Sequence, residues 1–360
     1  MRKPLRVLLA GGGSGGHIQP SLAIASALRA LDPTIELLYV GSRLPLDASL
    51  IQSAGLPFVG LFTGKIRRYF HWRNFTDPFL MLFGFFQSFW IVAQFWPDVV
   101  FAKGGFVSLP VALAAFFLRR PIVLHESDQV MGLSNRIVAR LAQRICVGFP
   151  EVMQGNSKAT HTGNPVRLSI QRGDAKRGYQ LTHFHTQKPI VLVWGGSQGS
   201  AEINRLVVGE FHRLKSIFQI IHITGLGKKT ELQGLDYAQF EYVDQDLPHF
   251  YVIADIVVGR AGANSLYELA LLQKPNILIP LKSAAHNHQA LNADYFERMG
   301  ASVIYKGDSL NDVLLALWNN SAQQDSMRVA LRKLSKPEAA ETIANILFEI
   351  AGRAQEPCSY

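Results

Sequence analysis

Two glycine-rich segments could bring backbone N–H groups close to an anionic ligand. They span residues 11–16 and 195–199, and each follows an apolar run typical of a strand and precedes a pattern typical of a helix. Glycine lets a ligand approach the backbone closely, and the positive end of the following helix favours negative charge. Because the segments lie about half a chain apart, they indicate two nucleotide-binding lobes that face one cleft.

The first segment contains Gly11, Gly13 and Gly16 at the spacing of the dinucleotide fingerprint. A dinucleotide site needs an acidic residue at the end of the second strand, and Glu36 lies too early in that strand. The sequence therefore disfavours a nicotinamide, and we expect no cofactor. His17 follows the segment directly and could act as a general base on a hydroxyl, although helix capping or packing explains a histidine there equally well.

A third candidate region lies where a buried strand ends in Arg260, Ala261 and Gly262 and a helix begins. The N–H groups of Ala263 and Asn264 would lie at the positive end of that helix, where a diphosphate is favoured. Glu268, about one turn further, could accept hydrogen bonds from a ribose diol, or it could be a carboxylate on the helix surface.

Paired polar side chains begin the next helical pattern. They are His288 and Gln289, which could form hydrogen bonds with sugar hydroxyls. Two histidine pairs, His183 with His185 and His286 with His288, have no third ligand at a supporting spacing. We therefore expect no metal site and assign these pairs to solvated loops.

Polar residues and glycines also close two strand-like runs in the first half of the chain. The carboxyl ends of parallel strands are where open α/β sheets bind ligands, so we expect these residues to line one side of the cleft. They are Lys103, Gly104, Gly105 and Phe106 after one run, and His125, Glu126, Ser127 and Asp128 after the next.

The elements that must position these residues alternate between strand and helix patterns. This alternation predicts an α/β fold with two parallel, Rossmann-like sheets wrapped by helices. We expect a first domain over 1–163 and a second over 164–337, with a C-terminal helix at 338–356 that packs back on the first. The predicted strands are 5–9, 35–40, 99–102 and 122–124 in the first domain, and 190–193, 218–223, 240–243, 256–258, 276–279 and 302–304 in the second.

Charge and cysteine content narrow the class of protein. The formal net charge is +9, and the basic excess lies almost wholly in residues 1–163. Such a lobe favours an acidic surface or a phosphorylated ligand, and no nucleic-acid-binding motif accompanies it. The chain has 2 cysteines, Cys146 and Cys358, which argues against a disulfide framework and fits a reducing compartment.

The segment 78–97 is uncharged and crowded with aromatic residues. Its length permits a transmembrane helix. A helix of the fold is the better interpretation, because the strand expected at 99–102 follows directly and a spanning helix would separate it from the sheet. Residues 65–73, just before it, mix cations with aromatics and suit an anionic membrane surface, although a solvated basic loop would also explain them.

Together these motifs resemble the MurG family, peripheral membrane glycosyltransferases of GT-B fold that act in bacterial cell-wall synthesis. The resemblance covers the chain from the first glycine segment to the last helix. It implies transfer of GlcNAc from UDP-GlcNAc to the muramoyl C4 hydroxyl of lipid I, which gives lipid II with inversion at the anomeric carbon. Residues 11–20, 97–108, 125–126 with 132–135, 163–167, 195–200, 255–268 and 287–293 carry it.

The resemblance also implies roles for individual residues and a location. His17 and Glu126 would be catalytic, and Gly13, Gly104, Gly105, Phe106 and Asn135 would bind the acceptor. Donor-binding residues would be Ser14, Gly15, Gly16, Asp128, Arg167, Ser197, Val243, Ala263, Asn264, Ser265, Leu266, Tyr267, Glu268, His288 and Gln289. The enzyme would work on the cytoplasmic face of the bacterial inner membrane, with cell-wall synthesis and division proteins as partners.

This sequence departs from the family pattern at a few positions. Asp128 stands where the family usually has Asn, and a carboxylate can accept a hydrogen bond but cannot donate one. Phe106 replaces a usual Tyr, Ser14 a common Thr, and Ala261 a usual Ser. Two alternatives therefore stay open: a UDP-sugar epimerase of the same fold, and a membrane-bound UDP-sugar-binding protein with a weakened active site.

Overall fold

The computed structural model describes residues 3–12, 15–63, 73–153, 155–185, 187–196, 198–281 and 287–353. The chain divides into two compact units, one formed by Met1–Arg167 with Pro337–Tyr360 and the other by Leu168–Lys336. Each unit is an α/β structure built on a single parallel sheet, so the predicted fold of two parallel-sheet domains is confirmed.

The first unit contains a seven-stranded parallel sheet in the order β3-β2-β1-β4-β5-β6-β7. The strand order reverses between β1 and β4, which is the topological switch point where such sheets bind ligands. The strands are β1 Arg6–Gly11, β2 Glu36–Ser42, β3 Phe58–Leu61, β4 Val99–Gly104, β5 Ile122–Glu126, β6 Arg144–Val147 and β7 Ala159–His161. The helices between them are α1 Gly15–Leu31, α2 Pro45–Ser53, α3 Arg73–Phe95, α4 Ser108–Phe117 and α5 Leu133–Leu141.

Strand β1 shows why this sheet is buried on both faces. Val7 and Leu9 pack into one apolar cluster, whereas Leu8 and Ala10 pack into the other. Successive side chains of a strand point to opposite faces, so an unbroken apolar run fits a parallel sheet covered by helices on both sides.

Helix α3 covers most of the segment 78–97, for which the sequence allowed two interpretations, a helix of the fold or a transmembrane helix. Ile91 and Val92 near its end are buried in the core of the first unit. None of the helices in the described ranges combines the length and the apolar character that a membrane crossing requires. The prediction of a helix of the fold therefore agrees with the structure.

The second unit contains a six-stranded parallel sheet in the order β10-β9-β8-β11-β12-β13, with its switch point between β8 and β11. The strands are β8 Ile190–Trp194, β9 Gln219–Ile223, β10 Tyr237–Phe240, β11 Ile256–Gly259, β12 Asn276–Leu278 and β13 Val303–Ile304. The helices are α6 Ala175–Thr182, α7 Ala201–Gly209, α8 Phe211–Ile217, α9 Leu247–Ile253, α10 Ala263–Leu272, α11 His288–Arg298, α12 Leu310–Trp318 and α13 Ser321–Leu334.

One predicted strand of the second unit was misplaced. The expected strand at 240–243 lies instead at Tyr237–Phe240, because buried Tyr237 pairs with Ile220 of β9 and Phe240 with Ile223. Val243 consequently lies in the loop that follows β10. The stretch 171–188 contains α6, which begins where the Asp174 carboxylate accepts a hydrogen bond from the Lys176 N–H.

The C-terminal helix, α14 Ala339–Ile350, belongs to the first unit and packs against α1. Its buried side chains, among them Ile343 and Leu347, join the cluster that contains Leu5 and Leu28. Helix α14 returns in this way to the unit that contains β1.

Candidate functional site

The turn between β1 and α1 is tightly enclosed. A Cβ on Gly12 would lie 2.8 Å from a carboxylate oxygen of Asp47 and 2.8 Å from the Ser42 nitrogen, so only glycine fits there. Gly13 and Ser14, two predicted ligand-binding residues, lie outside the described residues. Helix α1 then begins at Gly15 and places half-buried His17 in its first turn.

The end of β4 brings two glycines against predicted site residues from other elements. Gly104 and Gly105 have φ of +104° and +80°, a region that favours glycine. A Cβ on Gly104 would lie 2.8 Å from the Asn135 amide nitrogen, and one on Gly105 would lie 3.4 Å from the His17 imidazole. The structure therefore brings His17, Gly105, Gly104 and Asn135 together. Phe106 follows directly and is half-buried.

Ser108, in the first turn of α4, fixes the end of β4 against β1. Its buried hydroxyl donates to the Ala10 carbonyl at 2.9 Å, and it accepts a hydrogen bond from the Gly104 N–H at 3.0 Å. This link holds the two strand ends that flank the switch point.

Glu126 ends β5 and lies beneath the surface of the site, with 4% of its surface exposed. One carboxylate oxygen accepts a hydrogen bond from the Asn135 amide at 2.7 Å, and the other accepts from the Asp128 N–H at 3.0 Å. Burial, together with the nearby Asp128 charge, raises the pKa of Glu126 to about 7, although these hydrogen bonds and Lys103 oppose the increase. Glu126 therefore changes protonation near neutral pH and, as a carboxylate, orders Asp128 and Asn135.

His125 precedes Glu126 and is fully buried. Its Nε2 donates to the Gly163 carbonyl at 3.0 Å. Burial, assisted by the charge of Lys103, lowers the pKa of His125 well below its usual range, so the imidazole is neutral.

Lys103 is a charged residue that the sequence placed at a strand end lining the cleft, without a catalytic or binding role. Its side chain is 1% exposed, and its ammonium donates a hydrogen bond to the Ser127 hydroxyl. The Ser127 hydroxyl in turn donates to the buried Asn164 amide oxygen at 3.1 Å. Burial lowers the pKa of Lys103 to about 8, against the opposing charges of Glu126 and Asp128. A lysine at the end of the apolar run 99–102 was the sequence signal for this group.

In the second unit, the turn between β8 and α7 is again glycine-rich. Gly196 and Gly199 have φ of +83° and +67°. Ser197, a predicted donor-binding residue, lies outside the described residues. Ser200 caps α7, and its hydroxyl accepts a hydrogen bond at 2.8 Å from the guanidinium of Arg260, which follows β11. This bond joins the carboxyl ends of β8 and β11.

Helix α10 begins as predicted, directly after the Arg-Ala-Gly turn. Gly262 occupies its N-cap in an extended conformation, and Ala263 and Asn264 lie in the first turn. Half-buried Ser265 follows in the same turn. Glu268 is 8% exposed and accepts a hydrogen bond from the Tyr251 hydroxyl at 3.3 Å, which excludes the helix-surface interpretation.

Two predicted donor-binding residues of α10 belong to the core instead. Leu266 is fully buried, and its N–H donates to the Gly262 carbonyl within the helix. Tyr267 is also buried, with its ring packed edge-on against Phe296. Helical periodicity turns these side chains inward, so the structure does not support a side-chain contact to a donor.

Helix α11 supplies the second polar pair. His288 and Gln289 lie in its first turn, and the Gln289 amide oxygen accepts a hydrogen bond from the Leu281 N–H at 3.0 Å. The buried Asn292 amide donates to the Ala261 carbonyl at 3.2 Å and ties α11 to the turn before α10. The pair is therefore fixed relative to the α10 N-terminus.

The remaining candidates lie apart from these clusters. Half-buried Arg167 ends the first segment of the first unit, and Val243 lies in the loop after β10. His183 ends α6 in the left-handed conformation, and His185 lies 3.6 Å from Asp236. His286 lies outside the described residues.

Comparison with known proteins identifies relatives across nearly the whole chain. Residues 7–147 match the glycosyltransferase family 28 N-terminal domain, and residues 190–343 match the family 28 C-terminal domain. The chain is 38% identical over 349 residues to the UDP-N-acetylglucosamine--N-acetylmuramyl-(pentapeptide) pyrophosphoryl-undecaprenol N-acetylglucosamine transferase of Lachnospira eligens, covering 95% of this chain and 98% of that protein. It is 39% identical to the protein of the same name from Clostridium botulinum, covering 95% and 97%.

Solved structures of similar fold include both transferases and epimerases. MurG of Acinetobacter baumannii matches with a TM-score of 0.72 at 23% identity, covering 96% of this chain and 100% of that one. A UDP-N-acetylglucosamine 2-epimerase matches with a TM-score of 0.68 at 13% identity, covering 100% of both chains. At these identities the structural matches establish the fold alone.

Proposed function

Because the chain belongs to glycosyltransferase family 28, we propose that it transfers N-acetylglucosamine from UDP-N-acetylglucosamine to the muramoyl C4 hydroxyl of lipid I, forming lipid II. The observation that carries this proposal is the similarity, along nearly the full chain, to transferases named for that reaction. In the reaction the acceptor oxygen bonds to the anomeric carbon, the bond from that carbon to the UDP oxygen breaks, and the acceptor proton passes to a base.

The second unit binds the donor. The N–H groups of Ala263 and Asn264 at the start of α10 stabilise the charge that develops on the diphosphate as UDP leaves. Buried Glu268, held by Tyr251, accepts hydrogen bonds from the ribose. His288 and Gln289 contact the sugar, and Ser197, Val243 and Arg167 contact the nucleotide. Fixed N–H dipoles can supply this stabilisation without reorganising during the reaction.

The first unit binds the acceptor around the ends of β1, β4 and β5. His17, which lies against Gly105, takes the proton of the attacking hydroxyl. Glu126 supports the same site from below: as a carboxylate it accepts from Asn135 and from the Asp128 N–H. If Glu126 were protonated, its carboxyl O–H would face the Asn135 amide and the Asp128 N–H, which are themselves donors. The ionisation of Glu126 therefore controls how well Asn135 and Asp128 are ordered.

A second function, UDP-sugar epimerisation, is suggested by the epimerase structures of similar fold. The family match and the much higher sequence similarity favour the transferase. Incubation with radiolabelled UDP-N-acetylglucosamine alone and with a lipid I analogue separates the two. Transfer to lipid only when the acceptor is present supports the proposal, whereas conversion of the donor without acceptor supports the epimerase, and binding of the donor without either reaction supports a weakened binding protein.

We propose that the first unit contacts the anionic cytoplasmic face of the membrane through an aromatic patch on α3 and the end of α4. Phe86, Trp90 and Phe117 are 62%, 71% and 64% exposed, and exposed Arg119 closely follows Phe117 in sequence. A patch of large apolar side chains next to cations fits an interface between head groups and acyl chains. The basic aromatic residues 65–72 that suggested this contact lie outside the described residues.

This location also gives access to cell-wall synthesis and division proteins at the same membrane. Sedimentation with vesicles tests the membrane contact. We expect the protein to sediment with anionic vesicles, and the paired substitution F86S and W90S to lower that binding about tenfold or more while leaving the fold intact. Equal binding of the variant and the unmodified protein would contradict the assignment of the patch.

A further inference from the structure

The buried ammonium of Lys103 is not accounted for by the proposed reaction. The side chain lies at the end of β4 with 1% of its surface exposed. Removing an ammonium from water is costly unless a counter-charge and hydrogen bonds compensate. The Ser127 hydroxyl supplies one hydrogen bond to this ammonium. The compensating charge must come from the groups around it.

Several titratable groups face the end of β4 from the neighbouring elements. Tyr39 and Lys103 both lie next to Gly11, since a Cβ there would be 3.3 Å from the Tyr39 hydroxyl and 3.2 Å from the Lys103 Cβ. Burial raises the pKa of Tyr39, so its hydroxyl stays protonated. The groups are His125 and Glu126 on β5, Asp128 after it, Tyr39 on β2, Asp47 on α2 and His17 on α1.

Without Lys103, the carboxyl groups of Glu126 and Asp128 would lie close together with no neighbouring cation from His125. Glu126 and Asp128 are two residues apart, and the Asp128 N–H donates to Glu126, so both carboxyl groups belong to one turn. His125 is buried and neutral. Two nearby carboxylates disfavour each other's ionisation, and an adjacent cation relieves that repulsion. Lys103 provides this cation from the neighbouring strand, where its ammonium donates a hydrogen bond to Ser127, the residue between the two carboxyl groups.

We propose that Lys103 is a positioning residue for the transfer reaction: its buried ammonium, bonded to Ser127, balances the charge of Glu126 beside Asp128 at the end of β5, so that Asp128 and Asn135 stay ordered for the substrate. The expected effect on transfer kinetics rests on the proposed function. The charge balance between Lys103 and Glu126 does not. It also explains how an aspartate is tolerated at 128, where the resemblance leads us to expect asparagine: Lys103 neutralises the additional charge.

Carbon-13 NMR titration of glutamate side-chain carboxyls tests the charge balance directly. The substitution E126Q identifies the Glu126 signal by its loss. In K103M, whose side chain has a similar volume without charge, we expect the titration midpoint of Glu126 to rise by about one pH unit or more, because the cation that opposes its protonation is gone. In K103M/D128N the midpoint should return toward its original value, because the repelling carboxylate has been removed as well.

Transfer kinetics test the positioning role. We expect K103M to lose about tenfold in kcat/KM at pH 7 and to recover to within about twofold at pH 9, where Glu126 is ionised in both proteins and Lys103 of the unmodified protein has largely lost its proton. The matched control is K158M, which removes a lysine of the same unit whose ammonium donates to the Ala142 carbonyl. K158M should leave both the Glu126 titration and the pH profile unchanged.

The outcomes separate this inference from the proposed function. An unmoved Glu126 titration in K103M, or a moved titration with an unchanged pH profile of transfer, would overturn it. If K103M does not fold but K103M/D128N does, the rescue supports the charge balance, whereas failure of both to fold would overturn it in favour of a packing role. Absence of transfer by the unmodified protein would defeat the proposed function, and the NMR result would still decide the charge balance.

Discussion

The substitution G104A probes the contact between Gly104 and Asn135 that supports Glu126. Gly104 has φ of +104°, and an added Cβ would lie 2.8 Å from the Asn135 amide nitrogen and 2.9 Å from its amide oxygen. The Asn135 amide would have to move and give up its 2.7 Å hydrogen bond to Glu126. The alanine would also adopt an unfavourable backbone conformation.

Two energetic contributions determine how much stability G104A loses. A positive φ for alanine costs about 1–2 kcal/mol, and a lost hydrogen bond to a charged group costs about 1.5–3 kcal/mol. We therefore expect G104A to lower the free energy of unfolding by about 3–5 kcal/mol at pH 8, where Glu126 is ionised. The matched control is G155A in the same unit: Gly155 has φ of +73°, and no atom lies within 4 Å of an added Cβ. G155A should lose about 1–2 kcal/mol from the backbone term alone.

Urea denaturation of both variants, followed by circular dichroism, measures the difference, and the transfer assay should show a loss of about tenfold in kcat for G104A and little change for G155A. Equal destabilisation by the two substitutions would refute the reasoning, because it would mean that the Asn135 contact contributes nothing beyond backbone strain.

Further predictions concern other contacts of the site. S108A should lower the free energy of unfolding by about 1–3 kcal/mol, because it leaves the buried Ala10 carbonyl and Gly104 N–H without their partner, and urea denaturation measures this loss. Transfer by the unmodified protein should rise with pH through about 7, because Glu126 must lose its proton to accept from Asn135 and Asp128; E126Q should lower kcat and weaken this dependence in a pH-rate profile. A263P removes an N–H at the first position of α10, where proline is tolerated, so UDP-N-acetylglucosamine affinity measured by calorimetry should fall about tenfold while Tm changes little. H17A should retain the fold and the donor affinity but lose about a hundredfold or more in kcat, and full turnover would remove His17 from the proton transfer.

The sequence predicted the strand ends of the switch points because their signals are local. The glycines of 11–16 and of 195–199, and the turn before Ala263, each follow a short apolar run typical of a buried parallel strand. Strands β3, β6 and β7 were not predicted, because runs as short as Ala159–His161 carry little periodic signal.

Side-chain environment was harder to predict than location. Glu268 could have been a surface carboxylate by its position on α10, and only the packing of Tyr251 from α9 determines that it is buried. Lys103 ends an apolar strand, but its counter-charges come from β5 and the turn after it, which are remote in sequence. Such long-range pairings are fixed by the strand order of the sheet rather than by any local pattern.

The most direct test of the central claim is the structure of the product formed from UDP-N-acetylglucosamine and a lipid I analogue. Proton NMR of the purified product reports both the linkage position and the anomeric coupling of the new bond. The proposed reaction predicts a β-linked N-acetylglucosamine on the muramoyl C4 hydroxyl with stoichiometric release of UDP. An α-linked product, a different acceptor position, or release of UDP without any glycosylated lipid would contradict it.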